Sequence, residues 1–237
     1  RLNRFIPPTE ALNALARIDP FPAISGPSAP VAPPDPRLAQ AAGVRRAAPS
    51  VVRVLGMACG VGVEGSGWAA KRDLIVTAAH VVAGQADTVV ELQSGGRLPA
   101  DVVAFDRRND IAVLRVRDLG LRALPLVSAR SGTAVAVLGF PENGPFTATP
   151  ARIGRTSTVL AEDAYGSGPV TRTITSLRGQ VRHGDSGAPA VDARGAVQAT
   201  IFAARLRSVG GFGVPADVVR ADLNDARQRV STGDCAP

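Results

Sequence analysis

Three short segments of the chain carry side chains suited to covalent chemistry. Gly184-Asp185-Ser186-Gly187 sets a serine among glycines. A serine hydroxyl attacks only when an adjacent base removes its proton, and the oxyanion formed needs N–H donors aimed at it. Glycine tolerates backbone angles closed to other residues, so the segment can make a tight turn with the Gly184 and Ser186 N–H groups as oxyanion donors. The same four residues also occur in ordinary turns. In the second segment the apolar run Leu74-Ile75-Val76 leads into Thr77-Ala78-Ala79-His80, which puts an imidazole where a strand ends. Histidine titrates near neutrality and suits a general base, although a lone histidine in an apolar stretch is more often a packed ring. In the third, Asp110 stands directly before Ile111-Ala112-Val113-Leu114. Aspartate there is either a turn residue or the acceptor that fixes an imidazole tautomer.

Positioning three such groups requires a framework, and the chain supplies many short β-branched runs. They are Val51–Leu55, Leu74–Thr77, Thr88–Leu92, Val102–Phe105 and Ile111–Val116. A second series follows at Ala134–Leu138, Arg152–Leu160, Val170–Thr175, Ala188–Val191, Ala196–Phe202 and Gly211–Val214. Gly, Pro, Asn and Asp clusters separate them, a spacing that predicts an all-β antiparallel barrel or sandwich. Two helices are predicted outside this series. One covers Pro7–Ile18, with Thr9 as its cap; the other covers Pro215–Val230, with Pro215 in its first turn. Between Asp19 and Pro36 the chain is dense in proline and reads either as a semi-rigid linker or as a segment wrapped on the domain surface.

Taken together, Thr77-Ala78-Ala79-His80, Asp110-Ile111-Ala112-Val113-Leu114 and Gly184-Asp185-Ser186-Gly187 resemble the three catalytic motifs of trypsin-like serine proteases. Gly65-Ser66-Gly67-Trp68 and Phe212-Gly213-Val214-Pro215 resemble segments of the bacterial HtrA/DegP branch, and the likeness covers about residues 49–230. The resemblance implies two perpendicular six-stranded antiparallel barrels, the chymotrypsin fold, over about 49–122 and 128–214, with a C-terminal helix over about 215–230. Residues 1–48 would form the N-terminal helix and linker, and 49–237 the protease domain. It further implies a serine endopeptidase acting on protein or peptide substrates through an acyl-enzyme, with Ser186 as nucleophile, His80 as base and Asp110 orienting it. No metal or organic cofactor is implied. Thr200, Ile201, Phe202 and Ala203 would form the edge strand that pairs with an extended substrate. Phe212 and Val214 would line an apolar pocket wall or belong to the barrel core. Gln180, six positions before Ser186, stands about where trypsin carries its acidic selector, which argues against strict cleavage after basic residues. His183 is expected to line the cleft or lie exposed. The chain departs from the HtrA pattern at Asp185-Ser186-Gly187-Ala188, and no PDZ-sized segment follows the protease unit.

Composition narrows the alternatives. Of 237 residues 45% are apolar, enough for a sizeable core and against global disorder. The net charge of +7 is almost wholly arginine and is scattered, without a long basic run or a nucleic-acid motif, so no nucleic-acid partner is expected. A basic module docking on anionic lipid or nucleic acid is the weaker rival, as is a protease-fold scaffold with a latent triad. Cys59 and Cys235 are either free thiols or one disulfide; as a disulfide the pair would stabilise by about 5 kcal/mol in the chain-entropy model and place the protein in an oxidising, extracytoplasmic compartment such as the periplasm. Two histidines without metal-ligand spacing make a metal site unexpected. No apolar run reaches the length of a membrane span. Membrane attachment, as in a membrane-anchored stress-related protease, is expected only through an anchor upstream of Arg1.

Overall fold

The computed structural model describes residues 17–18, 23–206 and 209–234, and over these the short apolar runs form strands in two sheets. In chain order the strands begin with β1 (Arg17–Ile18), β2 (Ala23–Ile24), β3 (Val51–Ala58), β4 (Val61–Lys71) and β5 (Leu74–Thr77). Next come β6 (Val89–Glu91), β7 (Arg97–Pro99), β8 (Asp101–Asp106), β9 (Ile111–Arg115) and β10 (Ala134–Gly139). The last are β11 (Thr147–Ala161), β12 (Val170–Gly179), β13 (Pro189–Val191), β14 (Val197–Arg205) and β15 (Gly211–Pro215).

The first sheet runs in the order β7-β6-β3-β4-β5-β9-β8, with β1 added parallel to β4. Among the described residues its two ends do not pair, so it is an open half-barrel. The second runs β13-β10-β11-β12-β15-β14 and closes through β13–β14 into a ring of six strands, with β2 laid parallel on β14. The expected pair of barrels is therefore present, one open and one closed.

Three apolar clusters account for the pairing. Val52, Val54, Ile75, Val81, Ala112 and Leu114 fill the half-barrel. Val135, Val137, Ile153, Leu177 and Ile201 fill the ring. A third cluster joins the two sheets, with Trp68, Val76, Ile111 and Val113 on one side and Phe202, Phe212 and Val214 on the other. The Trp68 indole Nε1 crosses this junction and donates to Thr200 Oγ1 at 3.2 Å. β5 is buried along its whole length, which explains its unbroken apolar sequence: a strand covered on both faces has no polar face to alternate with.

The C-terminal helix spans Ala216–Asp225, shorter than the sequence suggests, and buries Ala216, Val219 and Leu223. Cations from the first sheet meet its end. Lys71 Nζ donates to Leu223 O at 3.1 Å, and Arg115 donates to the carbonyls of Ala226 and Arg227. The last carbonyls of a helix are orphaned and its end partly negative, so these donors stop it where they do. The following residues return to the half-barrel, where Val230 N–H donates to Val102 O at 2.9 Å.

At the other terminus Arg17 and Ile18 form a strand and not the end of a helix, because their backbone pairs with Gly62 and Val63 of β4. The remainder of the expected N-terminal helix lies outside the described residues. The proline-rich stretch follows the surface of the ring: Arg205, Arg178 and Arg152 donate to the carbonyls of Gly26, Val31 and Pro33 at 2.8, 2.6 and 3.0 Å. No helix among the described residues is long and apolar enough to cross a membrane.

Candidate active site

β5 and β9 lie side by side, antiparallel, with Thr77 opposite Ala112. The end of one is the start of the other, so residues 30 apart in the chain meet at the same rim of the half-barrel. His80 sits there on the short helix Ala79–Val82 that follows β5, and Asp110 directly precedes β9. Asp110 accepts twice from His80: Oδ1 from the backbone N–H at 2.9 Å and Oδ2 from the ring Nδ1–H at 2.7 Å. Its backbone is left-handed, with φ of 62°. The preceding turn imposes this conformation, since both carboxylate oxygens of Asp106 accept from Asn109, at 2.9 and 2.6 Å. A left-handed non-glycine residue costs on the order of 1 kcal/mol and persists only where its surroundings over-determine it.

Ser186 comes from the other barrel, in the turn between β12 and β13. Its Oγ lies 2.7 Å from His80 Nε2. With Nδ1–H directed at Asp110, Nε2 faces the Ser186 hydroxyl, the arrangement in which an unprotonated Nε2 can accept the serine proton. His80, Asp110 and Ser186 are 4%, 1% and 0% exposed, so the relay is dry.

The serine turn is tied from several sides. Asp185 Oδ2 accepts from Arg182 N–H at 2.9 Å, and Asp185 N–H donates back to Arg182 O at 3.1 Å. Gly184 and Gly187 have φ of 87° and 83°. A Cβ on Gly184 would lie 2.2 Å from Phe140 O, and one on Gly187 2.1 Å from Ser66 O. Both conformation and space therefore demand glycine. Ser66, on β4 of the half-barrel, reaches across: its N–H donates to Ser186 O at 2.7 Å and its Oγ–H to Gly184 O at 2.7 Å, while the same oxygen accepts from Phe140 N–H at 3.0 Å. Buried Glu64 pairs with Arg53, which also donates to Gly144 O at 2.8 Å and lies over the Phe140 ring. That pair steadies the loop against which the serine turn rests.

Burial pushes the Asp110 carboxyl up, but the His80 charge, the His80 hydrogen bonds and the charge of Arg172 outweigh it and hold the group below the usual carboxylate value. Asp110 is accordingly a carboxylate at neutral pH.

The remaining expected residues separate. Thr200 pairs with Pro189 on one flank and Val214 on the other. Ile201 exchanges hydrogen bonds with Gly187 N–H and Ala188 O at 2.7 and 2.8 Å. β2 takes the outer flank from Ala204 onward. Neither Thr200 nor Ile201 is thus an open edge. Phe202 and Ala203 lie between the two paired stretches, where neither β13 nor β2 pairs with the strand. Phe212 and Val214 are core residues packed between the two sheets. They point that way because Gly211 and Gly213 take the opposite face of β15, against Val181 and Ala199. Gln180 is exposed, so it forms no floor of an enclosed pocket. His183 is exposed, and its carbonyl accepts from Glu142 N–H at 2.7 Å. Cys59 sits exposed in the turn between β3 and β4 and is disulfide-bonded, whereas Cys235 lies outside the described residues.

Ser66 and Arg172 were not legible as site residues. Ser66 stands in a Gly-Ser-Gly string with no chemical signature, and Arg172 is one arginine among many on an alternating strand.

Residues 65–199 match the trypsin-like peptidase domain. The chain belongs to the trypsin-like serine protease family. It is 37% identical to serine protease Rv3671c of Mycobacterium tuberculosis over 94% of its length, and spans 59% of that relative. The crystal structure of the active form of the Rv3671c protease superposes with a TM-score of 0.84, covering 94% of this chain and 100% of that one at 37% identity. For the inactive form the values are 0.73, 84% and 100%, again at 37% identity. The HtrA-type protease AlgW with tripeptide matches with a TM-score of 0.69 over 77% of this protease and 61% of that chain, at 26% identity. The protease thus has the chymotrypsin-like fold of this family and resembles its HtrA-type members.

Proposed function

We propose that the protease is a serine endopeptidase acting through an acyl-enzyme, with Ser186, His80 and Asp110 as its triad. The observation that carries this is the buried relay from Ser186 Oγ to His80 Nε2 and from His80 Nδ1 to Asp110 Oδ2, each 2.7 Å. Ser186 Oγ attacks the carbonyl carbon of the scissile peptide while its proton passes to His80 Nε2. Asp110 retains Nδ1–H and stabilises the imidazolium. The carbonyl oxygen, now negative, accepts from the N–H groups of Gly184 and Ser186. Collapse of the tetrahedral adduct breaks the C–N bond, and His80 returns its proton to the leaving amine. A water molecule then repeats the sequence in reverse, its proton going to His80, to release the acid and restore Ser186.

The substrate is a protein or peptide in extended form. The protein acts in an extracytoplasmic, oxidising compartment, tethered through a segment upstream of Arg1. A Cys59–Cys235 disulfide fits that placement, supported by the absence of a free thiol at Cys59. The test is hydrolysis of a quenched fluorescent casein by the wild-type protease and by Ser186→Ala. Turnover lost in the variant is expected, and equal turnover by both would refute the assignment of Ser186.

A further inference from the structure

Arg172 lies on β12 of the closed ring and is only 4% exposed. Its guanidinium leaves its own barrel. Nη2 donates to Asn109 O at 2.6 Å, so it holds the peptide bond that leads into Asp110 on the half-barrel. Nη1 donates to Glu162 O at 3.2 Å, and the planar group lies 4.0 Å from the centre of the Phe202 ring. Phe202 is itself buried, in the stretch of β14 that neither β13 nor β2 pairs with.

Burying a guanidinium costs several kcal/mol unless charges and hydrogen bonds compensate. Among the described residues Arg172 has no carboxylate within ion-pair distance, and its Nε has no hydrogen-bond partner. The negative charges that act on it are Asp110 first, then Asp106 and Asp163. Asp163 is already engaged by Arg107, and Asp106 by Asn109. Of the carboxylates that compensate the charge of Arg172, Asp110 is the foremost, and Arg172 in turn helps to hold it ionised. The other charged groups around this cluster are the His80 ring on Asp110 and, on the C-terminal helix, Asp222 and Asp225 beside Asp106.

We propose, on the basis of the function proposed above, that Arg172 is a positioning residue for Asp110. It locks the left-handed Asn109–Asp110 turn of one barrel onto the other, and its positive charge limits how strongly Asp110 retains a proton on His80. A strict structural role would affect folding alone; this role also sets the pH at which the protease works. A cation removed from beside the Asp110–His80 pair favours the imidazolium, so the acid limb of kcat/KM moves to higher pH.

The experiment compares wild type, Arg172→Met and Arg172→Lys on a quenched fluorescent peptide, with pH profiles of kcat/KM and melting curves at each pH. In folded Arg172→Met, kcat falls at least tenfold with KM little changed, and the acid limb rises by about half a unit or more. Arg172→Lys keeps the charge but loses the two-pronged, stacked geometry; its acid limb stays at the wild-type pH while kcat falls. A folded variant with wild-type kcat and an unmoved acid limb overturns the role of Arg172. Should Arg172→Met fail to fold, wild-type kcat in folded Arg172→Lys does the same. An inert wild type would instead overturn the proposed function itself.

Discussion

The two halves of the proposed catalytic apparatus are built on different physical plans. His80 and Asp110 rise from neighbouring strands of one sheet, and the pairing of β5 with β9 brings them together by ladder register. The Ser186 turn has no such register. It depends on two glycines in left-handed conformations and on a serine supplied by the opposite barrel. The difference teaches where fragility lies: the imidazole–carboxylate half is brought together by local sheet geometry, with Arg172 reaching in from the other barrel, whereas the serine turn leans on contacts across the barrel junction.

Breaking the sheet-built half should have the largest effect. Asp110→Asn keeps the shape but removes the acceptor that fixes the tautomer, and kcat is expected to fall about 10⁴-fold. The same variant carries a stability signature. Because Asp110 titrates below its ordinary value of 3.8 in the folded protein, its stabilising contribution is present above that pH and is lost as pH falls through the lower folded value. The gap in unfolding free energy between wild type and Asp110→Asn, measured by urea titration, should therefore narrow below that pH.

In the turn-built half, Gly184→Ala meets Phe140 O at 2.2 Å in a left-handed backbone. Displacing the turn would misalign the proposed oxyanion donors, and a fall in kcat of about 10²- to 10³-fold is expected by steady-state assay. Ser66→Ala tests the comparison itself. It removes the buried hydrogen bonds to Gly184 O and from Phe140 N–H, costing about 1–3 kcal/mol of stability. It should lower kcat while the low-field proton resonance of His80 Nδ1–H stays in place. Loss of that resonance would show that the two halves are not separable in this way.

The parts legible in the sequence follow the same division. Leu74–Thr77 and Ile111–Leu114 announce strands because runs buried on both faces are continuously apolar, and a histidine and an aspartate at their ends are then conspicuous. Gly184 and Gly187 are legible as a turn. The contacts made by Ser66 and Arg172 are not, since they depend on how two barrels meet, which no local pattern encodes. The same limit explains Phe212 and Val214. An apolar pair alternating with glycines reads equally well as pocket wall or core, and only the packing of Gly211 on Val181 and Gly213 on Ala199 shows which way it faces. Arg17 and Ile18 went the other way, drawn into a strand by the edge of β4 despite a helix-like pattern.

The smallest effect lies outside both halves. Burial, with the charges of Asp106 and Asp225, pushes Asp222 on the C-terminal helix up to about 7. The folded protein thus binds a proton there that the unfolded chain has released, and stability falls as pH rises from about 4 to 7. Asp222→Asn should raise the unfolding free energy at pH 8 by on the order of 1–2 kcal/mol after allowing for partial exposure, seen as a higher melting temperature. The gain should shrink toward pH 4, with kcat unchanged throughout.

The proposal that Ser186 and His80 form a working nucleophile–base pair is tested most directly by intact-protein mass after reaction with a fluorophosphonate. Wild type should gain one adduct per chain at neutral pH, located on Ser186 by peptide mapping, and Ser186→Ala and His80→Ala should gain none. A folded, oxidised wild type that stays unlabelled, or a His80→Ala variant labelled at the wild-type rate, would contradict it.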